Sequence, residues 1–180
     1  MAIYVALLRG INVGGKNLIK MPALKASFEA GGLEEVATYI QSGNVLFQTA
    51  RSSAAMLTRR IEEILSAAFD YRANVVVRSH SQVRAVVEGA PKGYGTDPAT
   101  YLYDVIFLKE PLAAKTALKS VPTKEGVDEV YAGRGVLYCS RLRSRATQSQ
   151  LPRLVSLPIY QSMTIRNWNT STAHLRLLDR

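Results

Sequence analysis

Apolar and polar positions alternate along the chain in a way that predicts a first series of strands and helices. Residues 3–9 are apolar on both alternating faces, which is typical of a strand covered on both sides. A helix is predicted from Pro22 to Gly31, because proline is tolerated in the first turn and glycine commonly follows the last. Segments 36–41 and 44–48 then predict a hairpin, because a Ser-Gly pair separates two strand-like runs.

A second helix and a fourth strand complete this first series. Ser52 or Ser53 is expected to cap the helix, since hydroxyl side chains accept from the free amides of the first turn. Apolar residues recur at helical spacing behind the cap, and 73–78 contains a Val-Val-Val strand. The predicted order is βαββαβ, followed by a connecting helix near 82–88.

The same order of elements repeats after the Gly- and Pro-rich segment 89–100. The second series is predicted to contain a strand at 102–108, a helix from Pro111 to Leu118, a hairpin of 128–132 with 136–140, a short helical stretch at 151–157, a strand at 163–166 and a helix ending at Leu178 and capped by Asn167 or Asn169. The repeat is one of topology, without obvious sequence identity between the halves.

This pattern predicts an α+β fold made of two ferredoxin-like (βαββαβ, α/β-plait) modules with antiparallel sheets. We expect the first module at 1–78, a connecting helix and linker at 79–100, and the second module with its C-terminal helix at 101–180. Because the central strands are apolar on both sides, the open sheet faces should be covered as well. The other module or a second copy of the chain, in a homodimer, would cover them.

Four segments carry a resemblance to a known family. They are 4–17 (YVALLRGINVGGKN), Met21-Pro22 with Leu24, 39–47 (YIQSGNVLF) and 164–170 (TIRNWNT). In these segments the chain resembles the domain-of-unknown-function 1697 family of bacterial proteins. The resemblance implies two ferredoxin-like modules, and it brings no activity and no catalytic residues.

The segment from Gly10 to Lys16 matches most of a phosphate-binding P-loop, but the rest of that motif is missing. Asn17 stands where a hydroxyl should hold magnesium. The next helix is predicted near Pro22, too late for its N-terminus to face the phosphates. The strand at 102–108 runs into a Lys-Glu pair rather than a metal-holding aspartate. The sequence therefore argues against nucleotide hydrolysis by this motif.

Two polar segments remain as a candidate ligand site, the Gly/Asn-rich loop after the first strand and the turn at 41–44. The loop amides are able to surround an anion, with Lys20 adding positive charge. In the alternative interpretation, the glycines supply only positive-φ turns and the turn residues satisfy one another. Whether the two segments meet depends on strand direction. The candidate ligand contacts are Arg9, Gly10, Asn12, Gly14, Gly15, Lys16, Asn17, Gln41, Ser42 and Asn44.

The net charge of +9 is distributed unevenly. Residues 130–180 hold eight arginines, no lysine and one acidic residue, a net charge of +7, whereas residues 1–129 carry only +2. Such asymmetry favours phosphate-rich partners, although a solvated basic face is the alternative. An extended strand end would place Arg141, Arg143 and Arg145 on one side, with Arg153 nearby, as an anion or nucleic-acid patch. Arg166 and Asn167 are a further candidate anion site at the start of the last helix.

Composition narrows the function classes. The single cysteine rules out a disulfide within the chain and fits a reducing compartment, and no signal peptide or membrane-spanning run is present, so we predict a cytoplasmic protein. No metal-ligand spacing or catalytic triad stands out, and we predict no cofactor and no metal. The leading hypothesis is a binding protein for a phosphate-bearing small molecule or nucleic acid. The alternatives are an enzyme acting on a small anionic substrate, with Arg9, Lys16 and Asn44 orienting it, and an assembly protein.

Overall fold

The computed structural model describes residues 1–41 and 43–180, so that Ser42 lies outside the described residues. The chain divides into two compact units, Met1–Gln82 with Arg176–Arg180 and Val83–Leu175. The described residues form two four-stranded sheets, and all strand pairs within them are antiparallel. The prediction of an α+β fold with antiparallel sheets is confirmed at this level.

The first sheet has the strand order β2-β3-β1-β4, so β1 and β3 are its central strands. α2 begins after Ser53, whose Oγ accepts a hydrogen bond from the Met56 amide at 3.2 Å, which decides between the two predicted caps. The elements are β1 (Ala2–Leu8), α1 (Met21–Ala30), β2 (Glu34–Tyr39), β3 (Asn44–Thr49), α2 (Ala54–Ala68), β4 (Val75–Ser79) and α3 (His80–Glu88).

The core of the first unit lies between one face of this sheet and helices α1 and α2. The helices contribute residues spaced four apart, such as Leu24 with Phe28 and Leu57 with Ile61, and all four are buried. Phe28 meets Phe47 of β3 edge-on, with ring centroids 5.9 Å apart. Burying each such side chain contributes roughly 1.5–3 kcal/mol to the stability of the fold. This packing holds in place the strand ends from which the neighbouring loops leave.

The second sheet has the strand order β6-β7-β5-β8, with β5 and β7 central. Asn167, one of the two predicted caps, caps α5, because its Oδ1 accepts a hydrogen bond from the Thr170 amide at 2.8 Å. The elements are β5 (Tyr101–Leu108), α4 (Ala114–Leu118), β6 (Asp128–Ala132), β7 (Val136–Leu142), β8 (Met163–Asn167) and α5 (Trp168–Leu178), with 3-10 helices at Arg143–Gln148, Leu151–Ser156 and Pro158–Ser162.

Two sequence-based boundaries in this unit are wrong. α4 begins at Ala114 rather than Pro111, because the chain first makes a turn in which the Leu112 amide donates to the Lys109 carbonyl at 3.0 Å. The extended strand end that was predicted to carry Arg141, Arg143 and Arg145 stops at Leu142, where β7 ends. The chain then turns into a 3-10 helix, and the Arg143 amide donates to the Thr100 carbonyl at 2.8 Å. Among the helices of the described residues, none has the length and apolar character needed to cross a membrane.

Candidate functional site

The loop after β1 folds as a tight hairpin of its own. Val13 and Lys16 form an antiparallel bridge, and the Lys16 amide donates to the Val13 carbonyl at 3.1 Å. Gly14 and Gly15 between them have φ values of +59° and +74°. Positive φ at both central residues defines the type I′ turn that suits a two-residue hairpin. The Lys16 amide is therefore used within the loop, which supports the turn-forming interpretation of these glycines.

Asn12 fastens this hairpin to the turn between β2 and β3. Its Nδ2 donates to the Ile19 carbonyl at 3.0 Å and to the Gln41 carbonyl at 2.9 Å, and its Oδ1 accepts from the Ile19 amide at 2.8 Å. Its φ of +53° lies in the left-handed region, which asparagine tolerates better than most residues. One side chain thus brings together the two segments that the sequence could not place relative to each other.

Gly43 forms the second connection between these segments. Its carbonyl accepts from the Leu8 amide at 2.8 Å, and its φ is +82°. A Cβ added at this position would lie 2.9 Å from the Leu8 Cβ and 3.1 Å from Ile11 side-chain atoms, closer than ordinary contact allows. We refer to residues 9–20 together with 40, 41 and 43 as the paired loops.

The exposed side of the paired loops is both basic and apolar. Lys16 and Lys20 are exposed and Arg9 is half-buried, and the sequence of the paired loops contains no acidic residue. Three large apolar side chains also face solvent and were not among the predicted site residues, Val13 at 63%, Leu18 at 75% and Ile40 at 50% exposure. No local sequence signal separates these residues from Ile11 and Ile19 of the same loop, which are buried in the core of the first unit.

Two predicted contacts have structural roles instead. Asn44 is fully buried, and its Nδ2 donates to the Tyr39 carbonyl at 3.2 Å within the β2–β3 hairpin. Asn17 is exposed, but its Nδ2 donates to the Gly10 carbonyl at 2.8 Å and closes the base of the loop. The prediction for Ser42 falls outside the described residues. Of the predicted contacts, Lys16 has the most exposed basic side chain.

The C-terminal arginines do not share one extended strand, so the geometric basis given for their patch is wrong. Arg141 lies on β7, whereas Arg143 and Arg145 lie in the following 3-10 helix. Arg143 donates from Nε and an Nη atom to the Pro98 carbonyl at 3.2 and 2.8 Å. Arg145 and Arg153 each donate to a glutamine Oε1, at 2.8 Å to Gln148 and 2.9 Å to Gln150. These three side chains already bind acceptors of the chain itself.

Arg166 is buried rather than presented to a ligand. It donates to the Thr164 Oγ1 and the Ile165 carbonyl, both at 2.8 Å, and burial lowers its pKa to about 10. His174 on α5 is fully buried, and burial followed by repulsion from Arg166 lowers its pKa to about 4. Asn167 is engaged as the cap of α5. This group therefore has the properties of an interior polar cluster.

Within the described part of the chain, no group of three or more histidine, cysteine, aspartate or glutamate side chains has an arrangement suited to a metal ion. Cys139 is buried, and burial, with Asp104 and Asp128 adding to it, raises its pKa to about 12. The paired loops hold no carboxylate, so the ligand chemistry they offer is that of cations, amides and apolar side chains.

The fold and the paired loops together define an α+β protein with two antiparallel sheets and a basic, partly apolar loop surface. The profile of the family described as "Protein of unknown function (DUF1697)" matches residues 1–138, and the chain belongs to this family. It is also similar to a solved structure described as "The structure of conserved bacterial protein SP0830 from Streptococcus pneumoniae", with 28% sequence identity and a TM-score of 0.85 over 100% of this chain and 99% of that chain. The comparison with curated proteins found no match.

Proposed function

We propose that this protein is a binding protein whose ligand carries a nucleotide phosphate, free or within a nucleic acid, and that the paired loops contact it. The observation that carries the proposal is the set of Asn12 hydrogen bonds, which hold the loop in one shape while Lys16 remains exposed. A surface that is already ordered loses less entropy when a ligand binds. Exposed Val13 and Leu18 would contact the parts of the ligand that carry no charge.

We also propose that each sheet with its helices is a ferredoxin-like module. The strand order β2-β3-β1-β4, repeated as β6-β7-β5-β8, supports this, because the split βαβ topology places its first and third strands at the centre. The proposed boundaries are 1–78 and 101–180, with 79–100 connecting the modules. Limited proteolysis followed by mass determination tests them, and a first cleavage inside either module rather than in 79–100 would argue against these boundaries.

The two alternatives to the paired loops have less support. Arg143, Arg145 and Arg153 bind acceptors of the chain itself, so a ligand would have to displace those contacts. For the enzyme alternative, the fully buried Asn44 is not positioned to orient a substrate. Cys139, with its pKa raised to about 12, stays a protonated thiol at neutral pH, and the thiolate is the nucleophilic form.

The test of the binding proposal is calorimetric titration of the whole chain with mononucleotides and with eight-nucleotide single strands. Each titration is carried out at 50 mM and at 200 mM salt, because phosphate contacts make affinity fall with salt. The double variant Lys16→Ala/Lys20→Ala should bind roughly tenfold more weakly at low salt. Its binding of the strands should also depend less on salt, by a slope of about one for each lysine removed.

The matched control is Lys115→Ala/Lys119→Ala, which removes two exposed lysines of the second unit and the same total charge. It should leave the affinity within about twofold, since most surface charges act only over a Debye length of roughly 10 Å. Equal losses in the two double variants would mean that binding depends on net charge alone. No binding by any probe at low salt would refute the proposal.

A further inference from the structure

A cavity of about 190 Å³ opens on the second sheet, on the face that points away from the core cluster of that unit. It is smaller than the roughly 300–1,000 Å³ of a site for a whole small-molecule ligand, so it suits one ring of a larger molecule. We refer to it as the tyrosine groove, and its principal lining residues are Lys92, Tyr94, Tyr101, Tyr103, Glu129 and Tyr131.

The floor of the tyrosine groove is fixed by Tyr94. Its hydroxyl contacts the Asp104 carbonyl at 2.8 Å and the Cys139 carbonyl at 3.0 Å, which belong to the neighbouring strands β5 and β7. Its ring meets Tyr103 edge-on with centroids 4.9 Å apart, and it meets Trp168 in the same way at 5.0 Å. The floor of the tyrosine groove is therefore held in place by the sheet before any ligand binds.

The walls of the groove stand on either side of a small residue. Ser140 on β7 is paired with Tyr103 of β5 on one side and with Glu129 of β6 on the other. Tyr131, which is paired with Tyr138 two residues further along, follows Glu129 on the same face and is 44% exposed. Neighbouring strands lie about 4.8 Å apart, so the two tyrosine-bearing strands are separated by roughly 10 Å. This spacing leaves room over Ser140 for a flat ring, with Tyr103 on one side and with Glu129 and Tyr131 on the other.

Charged groups at the groove complement the remaining parts of a nucleotide. Lys92 is exposed and lines the groove, where its ammonium group is suited to phosphate. The Glu129 carboxylate accepts a hydrogen bond from the Tyr131 hydroxyl at 2.8 Å and keeps further lone pairs for a ring amino group. A carboxylate accepts from the exocyclic amine of cytosine and has no donor for the carbonyl that replaces it in uracil.

We propose that the tyrosine groove binds a nucleobase, either of a free nucleotide or of a single-stranded nucleic acid. The base stacks between Tyr103 and Tyr131, its amino group donates to Glu129, and its phosphate lies against Lys92. Base stacking on aromatic side chains is the common means of binding unpaired bases. The site lies wholly in the second unit, so it does not rest on the paired loops, and each site can fail without the other.

The test is calorimetric titration of the whole chain with CMP, UMP, ribose 5-phosphate and eight-nucleotide strands of cytidine or uridine. CMP should bind at millimolar concentration or below, more tightly than UMP, and ribose 5-phosphate should bind at least about tenfold more weakly because it has no base to stack. A strand that binds far more tightly than CMP identifies single-stranded nucleic acid as the source of the base. Equal affinity per base identifies the free nucleotide.

Four variants locate the binding. Tyr131→Leu keeps the apolar surface and should weaken CMP binding roughly tenfold, whereas Tyr131→Phe should retain it. Glu129→Gln should abolish the preference for CMP over UMP. Tyr160→Leu is the matched control, because Tyr160 lies in the 3-10 helix Pro158–Ser162 and packs against the core cluster on the opposite face of the sheet. The melting temperature of each variant is measured first, and all titrations are carried out well below it, so that a loss of binding does not reflect unfolding. A loss of CMP binding in Tyr131→Leu that Tyr160→Leu does not share places the bound base in the tyrosine groove. Binding that Tyr131→Leu leaves intact, equal affinity for ribose 5-phosphate and CMP, or no binding of any probe would overturn the proposal.

Discussion

The left-handed residues Gly14, Gly15, Gly43 and Asn12 of the paired loops are held in three different ways. Gly14 and Gly15 occupy open space, since a Cβ added at either would meet no atom within 4 Å, so only their φ angles require glycine. Gly43 has a positive φ and also lies against the Leu8 side chain. Asn12 shares the conformation but is held by its own hydrogen bonds. Substitutions at these positions therefore separate backbone strain from packing.

Gly43→Ala should destabilise the protein more than Gly14→Ala does. A left-handed backbone costs a residue with a Cβ about 1–2 kcal/mol, and this cost applies to both variants. At Gly43 the new methyl group also collides with the Leu8 Cβ, and overpacking typically adds about 1–3 kcal/mol. Urea unfolding of the two variants and the wild type measures both costs. Equal losses would contradict the packing role of Gly43.

At the scale of elements, the sequence narrowed the cap of α2 to two adjacent candidates, Ser52 and Ser53, and the hydrogen bonds of the structure decide between them. Ser53 has the extended backbone of a cap, with φ −69° and ψ 149°, and its Oγ accepts from the Met56 amide. Ser52 lies one residue earlier, and its Oγ donates to the Ala50 carbonyl at 3.2 Å instead. Both serines are hydroxyl-bearing, so composition alone does not distinguish them.

Ser53→Ala should cost about 1 kcal/mol of unfolding free energy, the usual price of removing a side-chain cap. Ser52→Ala is the matched control and should cost less than about 0.5 kcal/mol, because its hydroxyl makes only a local, exposed contact. Thermal unfolding monitored by circular dichroism gives both values. If the Ser52 variant proves the less stable of the two, the cap has been assigned to the wrong residue.

Elements with strong local signals could be predicted from sequence, and those set by distant contacts could not. The apolar spacing of Leu57 and Ile61 indicates α2 without further information. By contrast, β7 ends after Leu142, where the Arg143 amide donates a hydrogen bond to the Thr100 carbonyl. Thr100 is forty-three positions away in the sequence, so no local pattern predicts this contact. The alternating arginines after β7 therefore predicted a longer strand than the structure has.

The candidate site was predicted in the same uneven way. Gly14 and Lys16 were recognisable because glycine and charge are local signals. The contact from Asn12 to the Gln41 carbonyl joins residues 29 apart in sequence, and the burial of Asn44 depends on how the strands pair. The tyrosine groove needs the register between three strands, which only the folded sheet supplies.

Titration of interior groups links whole-molecule stability to pH. His174 has its pKa lowered from 6.5 to about 4, so the fold favours the neutral imidazole and the unfolded chain takes up a proton first. This contribution is fully present above pH 6.5 and is lost as the pH falls from there towards 4. This lowering of the His174 pKa corresponds to a loss of about 3 kcal/mol of unfolding free energy at most.

His174→Gln should remove this part of the pH dependence. The advantage in unfolding free energy of the wild type over the variant should shrink by up to about 3 kcal/mol between pH 7 and pH 4, because only the wild type must bury a group that the unfolded chain protonates. Urea unfolding of both proteins across this range measures the difference. Parallel stability curves would show that the imidazole does not titrate as its burial implies.

The position of Trp168 gives the molecule an optical property. It is the single tryptophan of the chain, it lies within 5.0 Å of the Tyr94 ring, and it packs so closely on Gly95 that a Cβ there would overlap its indole nitrogen. When tyrosine is excited, energy transferred to tryptophan is emitted from Trp168 alone. The wavelength and lifetime of the Trp168 fluorescence therefore report whether the segment around Tyr94 stays packed on the second sheet, without any added dye.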